Sequence, residues 1–231
     1  MRLSLLLALL VAGLPVRTEA RGAEAPSRKE ASLRGLLLRS SLRLSRTHER
    51  GENLLLPRWE VPGWDIRYTT EQNYRRAVDF VLANAHELPL DLETATRLNR
   101  LLTEGLVPER ILGQASFRAD ASRFYRWLAS PRAEALGRRD PVALAERVHA
   151  GLGYFDAFPD GNGRTARLMA DLVLLKHGRA PALFTTLEEY FERGIFSRDM
   201  ADKGLRRRSQ IAYYREAARR GQVELERLLA D

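Results

Sequence analysis

The chain contains no cysteine, which excludes a disulfide framework, a cysteine nucleophile and a thiolate-bound metal in any compartment. Lysine is almost as scarce, since among 38 basic residues only positions 29, 176 and 203 are lysines. No Gly-x-x-x-x-Gly-Lys-Ser/Thr run exists, so a P-loop is closed as a route to phosphate binding. The four histidines, at 48, 86, 149 and 177, lack the close pairing that a zinc site on a helix shows. There is no internal repeat, low-complexity tract or run of strands. Long apolar segments are missing too: Leu3 to Leu14 is too short for a stable membrane span, and no such span is expected.

The net charge of +8 raises nucleic acid as a partner. The arginines, however, are scattered among acids rather than gathered with stacking aromatics, so no nucleic-acid partner is expected; a basic helical nucleic-acid binder stands only as a third reading. The one dense run, Arg206 to Arg208, reads as a solvated helix face. Met1-Arg2 ahead of the apolar stretch, with small residues near Ala20, reads as a signal peptide over residues 1–20. Export to the periplasm or beyond is the expectation that follows, with a cytoplasmic protein as the alternative. Residues 21–65 read as a linker with a short leucine-rich helix at Leu33 to Leu44 and a loop punctuated by Pro57, Pro62 and Gly63, pinned by Trp59 and Trp64. The domain is expected over 66–231.

Within it the pattern is mostly α-helical. Thr70 is a candidate N-cap for a helix reaching about His86, and Asp91 opens a second that Gly105 suits as a left-handed stop. A short helix is expected over Asp120 to Ala129. Pro141 fits the first turn of the next, whose stripe Val142, Ala145, Val148, Leu152 and Phe155 marks a buried face. His149, on that helix, reads as a core histidine. A further helix carries Leu168, Met169, Leu172, Val173 and Leu175 and stops at Gly178. Beyond it, helices over Leu187 to Arg193 and Asp199 to Leu229 are expected to break at Gly194, Gly204 and Gly221.

Between the two central helices lies the stretch Asp156-Ala-Phe-Pro-Asp-Gly-Asn-Gly-Arg-Thr-Ala-Arg167. Pro159 to Gly163 must turn, because proline lacks a donor and glycine tolerates positive φ. The helix that starts near Arg164 opens with unpartnered N–H groups at the positive end of its dipole, so Gly161, Asn162 and Gly163 can present donors to an anion. Arg164 and Arg167, three apart, are expected on one face, each able to grip phosphate oxygens bidentately. Asp160 offers the hard oxygen ligand that Mg²⁺ prefers.

This stretch resembles the signature of the Fic (Fido) family, His-x-Phe-x-Asp/Glu-Gly-Asn-Gly-Arg-x-x-Arg. Phe158, Asp160, Gly161, Asn162, Gly163, Arg164 and Arg167 fall on its positions, while Asp156 stands where the family has its catalytic histidine. The resemblance implies a Fic-like helical bundle with the signature loop between two central helices, and a small β-hairpin flap near Gly113 to Arg118. It implies ATP or another nucleotide as substrate, with the glycine amides and Asn162 on the inner phosphates, Arg164 and Arg167 on the outer ones, and Asp160 on Mg²⁺. It further implies transfer of an AMP-type or phosphoryl group to a hydroxyl of a target protein, with position 156 as general base.

Aspartate changes that last step. Its reference pKa of about 3.9, against about 6.5 for histidine, gives it less appetite for a proton, and general-base help is worth about 10²- to 10⁴-fold. Positioning and charge neutralisation survive the change. Three outcomes stay open: a transferase with an altered base, one of altered specificity, and a nucleotide-binding pseudoenzyme. The family's inhibitory motif, Ser/Thr-x-x-x-Glu-Gly/Asn, is met only in part, by Glu52-Asn53 with His48 where Ser or Thr belongs.

Overall fold

A computed structural model of the chain describes residues 25–48, 66–115, 119–155, 157–185 and 203–231. They form eight α-helices: α1 (Arg28–His48), α2 (Ile66–Asn84), α3 (Leu92–Thr103), α4 (Ala119–Leu128), α5 (Pro131–Arg139), α6 (Pro141–Phe155), α7 (Asn162–Lys176) and α8 (Lys203–Ala230), with one 3₁₀ turn at Glu109–Ile111. No strand occurs among the described residues. The expected flap falls partly on residues 116–118, which lie outside the described residues, as do 1–24, 49–65 and 186–202. The leader, Trp59, Trp64, Glu52 and the helix expected over Leu187 to Arg193 belong to those stretches.

The fold is organised around α7. Every residue from Thr165 to Leu175 is buried, so this helix has no solvent face and its neighbours enclose it. The most extensive packing is with α6, and α3 and α1 cover other sides; α2 lies between α1 and α3, and α8 spans α1 and α6. Leu168, Met169, Leu172 and Val173 are fully enclosed, each burial contributing about 1.5–3 kcal/mol. The helix ends as its sequence suggests: Gly178 takes φ 69°, and the N–H of Arg179 donates to Leu174 O at 2.9 Å, a left-handed glycine stop.

Local caps account for several other boundaries. Asp91 accepts from Thr94 N at 2.9 Å to start α3, which closes onto Gly105 at φ 71°. Asp140 does the same for α6 through Ala143 N at 2.9 Å. Apolar spacing does not single out α5, although Ser130 caps it and Pro131 occupies its first turn, a Ser-Pro pair that carries that signal.

Three expectations are corrected. Helix α2 begins at Ile66, leaving Thr70 inside the helix rather than at its cap, because a cap-forming side chain does not stop a helix that continues upstream. The leucine-rich segment ahead of the domain is not a short helix: α1 has 21 residues, and Leu36 and Leu37 are buried in the common core. Finally, α8 passes through Gly204 and Gly221 without a break. Gly221 is a close-approach glycine, since a Cβ there would lie 1.9 Å from Pro181 O.

Candidate functional site

The bend between α6 and α7 is built by its own side chains. Asn162 accepts from Phe158 N at 2.8 Å and donates to Phe158 O at 2.6 Å. Its side chain is therefore spent on clasping the loop. Phe158, 5% exposed, anchors the same turn in the core. Gly161 sits at φ 75°, in the left-handed region, as the N-cap of α7. A Cβ at that position would come 2.6 Å from Thr103 Cγ2 and 3.0 Å from Asn99 Nδ2, so glycine is required both by conformation and by space.

Because Gly161 has no side chain, α7 starts without a side-chain cap. The first bond within the helix runs from Thr165 N to Gly161 O at 2.8 Å. The N–H groups of Asn162, Gly163 and Arg164 precede it and have no carbonyl four residues back inside the helix, which makes them donors for an anion. Asn162 is thus placed to contribute through its backbone N–H, its side chain being taken up by Phe158.

Asp160 and Arg164 face each other across this opening. Asp160 Oδ1 accepts from Gly161 N at 2.5 Å, and Oδ2 accepts from Arg164 Nη2 at 3.2 Å. Arg164 also donates to Leu102 O at 3.1 Å. The carboxylate side chain is 30% exposed and each oxygen takes one of these bonds, so lone pairs remain for a hard cation. Among the described residues no group of three His, Cys, Asp or Glu side chains gathers for a metal. A Mg²⁺ ion here would therefore rest on one protein carboxylate, with phosphate and water completing its shell, a mode this ion commonly uses. The donor set fits.

Arg167, one turn into α7, is set more deeply than Arg164. The spacing places it beside Arg164, but it is 7% exposed and lies among core residues. Three positions along a helix still separate two side chains by about 60°, enough to send Arg164 to the loop and Arg167 inward. Its charge acts on two fully buried groups. His149 is pushed down to about 3, first by burial and then by Arg167. Asp171 is pushed up to about 7 by burial, opposed by its bond from Ala182 N and by Arg167. The His149 ring lies 5.6 Å from Tyr214 and 5.9 Å from Phe184. It is a neutral core histidine, as its place on the stripe suggests.

Two residues of α3 hold the loop from behind. Asn99, 1% exposed, donates to Asp160 O at 2.8 Å and to Thr165 Oγ1 at 3.2 Å, and Thr103 donates to Asn99 O at 2.7 Å. No short motif marks them. The only signal is a buried polar pair on an otherwise apolar helical face. Asn99→Ala is expected to destabilise by about 1–3 kcal/mol through an unsatisfied carbonyl and to weaken anion binding at the loop. Urea denaturation and a phosphate-compound titration measure the two effects.

Asp156, the residue at the head of the stretch, lies outside the described residues. Its neighbours bracket it: Phe155 ends α6, and Ala157 is buried.

Among the described residues the structure is all-helical, and its central helix begins at an uncapped, glycine-built loop. Residues 89–174 match the Fic/DOC family model. The chain is 38% identical over 71 residues to a protein adenylyltransferase Fic of Nematostella vectensis, covering 30% of this chain. Against a protein of the same description from Drosophila melanogaster it is 33% identical over 87 residues, 38% of this chain. In both cases it spans 16% of the relative's length. The fold resembles Fic-1 (residues 134–508) of C. elegans, with TM-score 0.64 and 15% identity, over 90% of this chain and 66% of that one. It also resembles a Fic domain containing signaling protein of Bacteroides thetaiotaomicron, with TM-score 0.63 and 16% identity, over 90% of this chain and 92% of that one.

Proposed function

We propose that the protein binds a Mg²⁺-nucleotide at the α6–α7 bend and transfers a nucleotidyl group, AMP from ATP, to a hydroxyl of a target protein. The observation that carries the reading is the start of α7, where a left-handed Gly161, a clasped loop and three helix-opening amides face the Asp160–Arg164 pair. The relatives described as protein adenylyltransferases support the type of group transferred.

The roles divide as follows. The amides of Asn162, Gly163 and Arg164 hold phosphate oxygens, and the Arg164 guanidinium exchanges its bond to Asp160 for the phosphates. Asp160 holds Mg²⁺, which supplies charge neutralisation on the polyphosphate. Arg167, set in the core, fixes the field at the base of the helix instead of clamping the outer phosphate. The target oxygen attacks the α-phosphorus, a P–O bond forms, the bond to the β-phosphate oxygen breaks and pyrophosphate leaves. The hydroxyl proton passes to the Asp156 carboxylate. An aspartate in that role orients the nucleophile more than it strips the proton, as in the catalytic loop of protein kinases.

The residue at 156 also favours a second reading, a nucleotide-binding module without catalysis. Incubation with α- and γ-labelled ATP, Mg²⁺ and candidate proteins separates the two. Under the first reading label from the α position becomes protein-bound, Asp156→Ala lowers it, and Asp156→His raises it by about 10²-fold. Label that appears only in Asp156→His supports the silent module. Label from the γ position alone means kinase-like transfer, and nucleotide affinity indifferent to both Arg164→Ala and Asp160→Ala removes the site assignment altogether.

A further inference from the structure

At the far end of α7 from the loop, about 18 Å along its axis for twelve residues of rise, the surface opens into a second pocket. Its volume is about 360 Å³, within the range of small-molecule sites. The start of α6, the end of α7 and the middle of α8 enclose it. Val142, Leu174 and Ala218 are among its apolar lining, and the exposed Arg179, Arg215 and Arg219 line it as well.

Among the described residues the charges around this pocket do not balance. Asp140, the carboxylate of the pocket, is already committed: Oδ2 accepts from Arg215 at 3.1 Å and Oδ1 caps α6 through Ala143 N. Gln222 is neutral and holds the backbone, accepting from Ala180 N at 3.2 Å. Among the described residues neither Arg179 nor Arg219 meets a carboxylate. Arg215 and Arg219 are moreover four apart on α8, a spacing at which like charges repel. Two unneutralised guanidiniums over an apolar concavity suit a ligand with an anionic head and an apolar body, because guanidinium binds carboxylate and phosphate bidentately.

We propose that this pocket is a binding site for a small amphipathic anion, a carboxylate or phosphate monoester whose head pairs with Arg179 and Arg219 and whose apolar body lies against Val142, Leu174 and Ala218. The site is separate from the α6–α7 bend and does not depend on what that bend binds.

Calorimetric titration of the full chain with octanoate, octyl phosphate, octylammonium and acetate tests it. Octanoate or octyl phosphate is expected to bind with Kd of about 10⁻⁴ to 10⁻³ M, the range for a ligand of about ten heavy atoms. Whichever of the two binds more tightly identifies the head group. Octylammonium, with the wrong charge, and acetate, without the body, are expected to bind at least tenfold more weakly. The double variant Arg179→Glu, Arg219→Glu, both at exposed positions, is expected to lose at least tenfold in affinity while keeping its thermal transition. Arg164→Ala is expected to bind the probe unchanged, which separates this pocket from the nucleotide site. Failure of both anionic probes to bind at millimolar concentration, equal binding of octylammonium, or unchanged binding by the double variant overturns the proposal.

Discussion

Asp171→Asn is expected to make the protein labile in mild acid, with a loss that grows to about 3 kcal/mol by pH 4. The reason is a pair of opposed titrations around Arg167. The His149 pKa falls from 6.5 unfolded to about 3 folded, so between those values the unfolded chain holds the extra proton and stability falls as pH drops. For Asp171 the pKa rises from 3.8 to about 7, so the folded chain holds the extra proton and stability falls as pH rises through that window. Each slope is about 1.4 kcal/mol per pH unit. From about pH 4 to 6.5 these two cancel, and the wild type is expected to show a much flatter profile than a variant lacking either one.

Removing one member uncovers the other. With asparagine at 171 the Ala182 N–H keeps an acceptor, and the His149 slope is no longer offset; His177, also lowered by partial burial, adds to it in the same direction. His149→Phe should show the reverse, gaining stability as the pH falls from 7 to 4. Around the imidazole lie the Arg167 guanidinium and the rings of Phe184 and Tyr214, and neither a guanidinium nor a phenol exchanges protons in mild acid. Urea midpoints between pH 4 and 7 measure all three proteins, and parallel profiles for the wild type and both variants would falsify the account.

Gly221→Ala is expected to destabilise by about 3 kcal/mol, the upper part of the range for overpacking, despite the gain of about 1 kcal/mol that alanine brings to a helix interior. The added methyl would meet Pro181 O at 1.9 Å and Pro181 C at 3.1 Å. That backbone cannot retreat cheaply. Leu183 N donates to Ala217 O at 2.9 Å, Ala182 N to Asp171 at 2.9 Å and Phe184 N to Ser40 at 3.3 Å, so moving the segment strains three bonds at once. Gly35, in α1, has nothing within 4 Å of the point a methyl would occupy and provides the contrast: alanine there is expected to stabilise by about 0.5–1 kcal/mol. Denaturant unfolding of the two variants, compared at one pH, decides whether packing or propensity governs.

What the sequence discloses is what is local. The Asp91 cap, Pro141, the stops at Gly105 and Gly178 and the buried stripe of α6 each depend on residues within a turn of one another, and the structure has them where the pattern puts them. The glycine-built bend ahead of α7 is legible for the same reason. Gly221 misleads because a glycine that breaks a helix and one that admits a neighbouring stretch of chain look alike in sequence. The burial of Arg167 and its charge effect on Asp171, one turn on, and on His149, on another helix, cannot be read from the motif spacing. Similarly, Asn162 has the look of a ligand contact in the motif, yet Phe158 occupies both ends of its amide. Asn99 cannot be found at all from spacing, since its partners lie 61 and 66 positions away.

The seam between α1 and α8 has a temporal side. Arg39 pairs with Glu224 at 2.7 Å across 185 positions, Arg28 reaches Leu228 O across 200, and Ser40 bonds Ala182 O across 142. Contacts of such sequence separation form late and slow folding. During synthesis the face of α1 that meets α8 must therefore wait until α8 has emerged from the ribosome to close the bundle. That interval, rather than any step in the finished protein, is when the nascent chain is most open to chaperones and to aggregation.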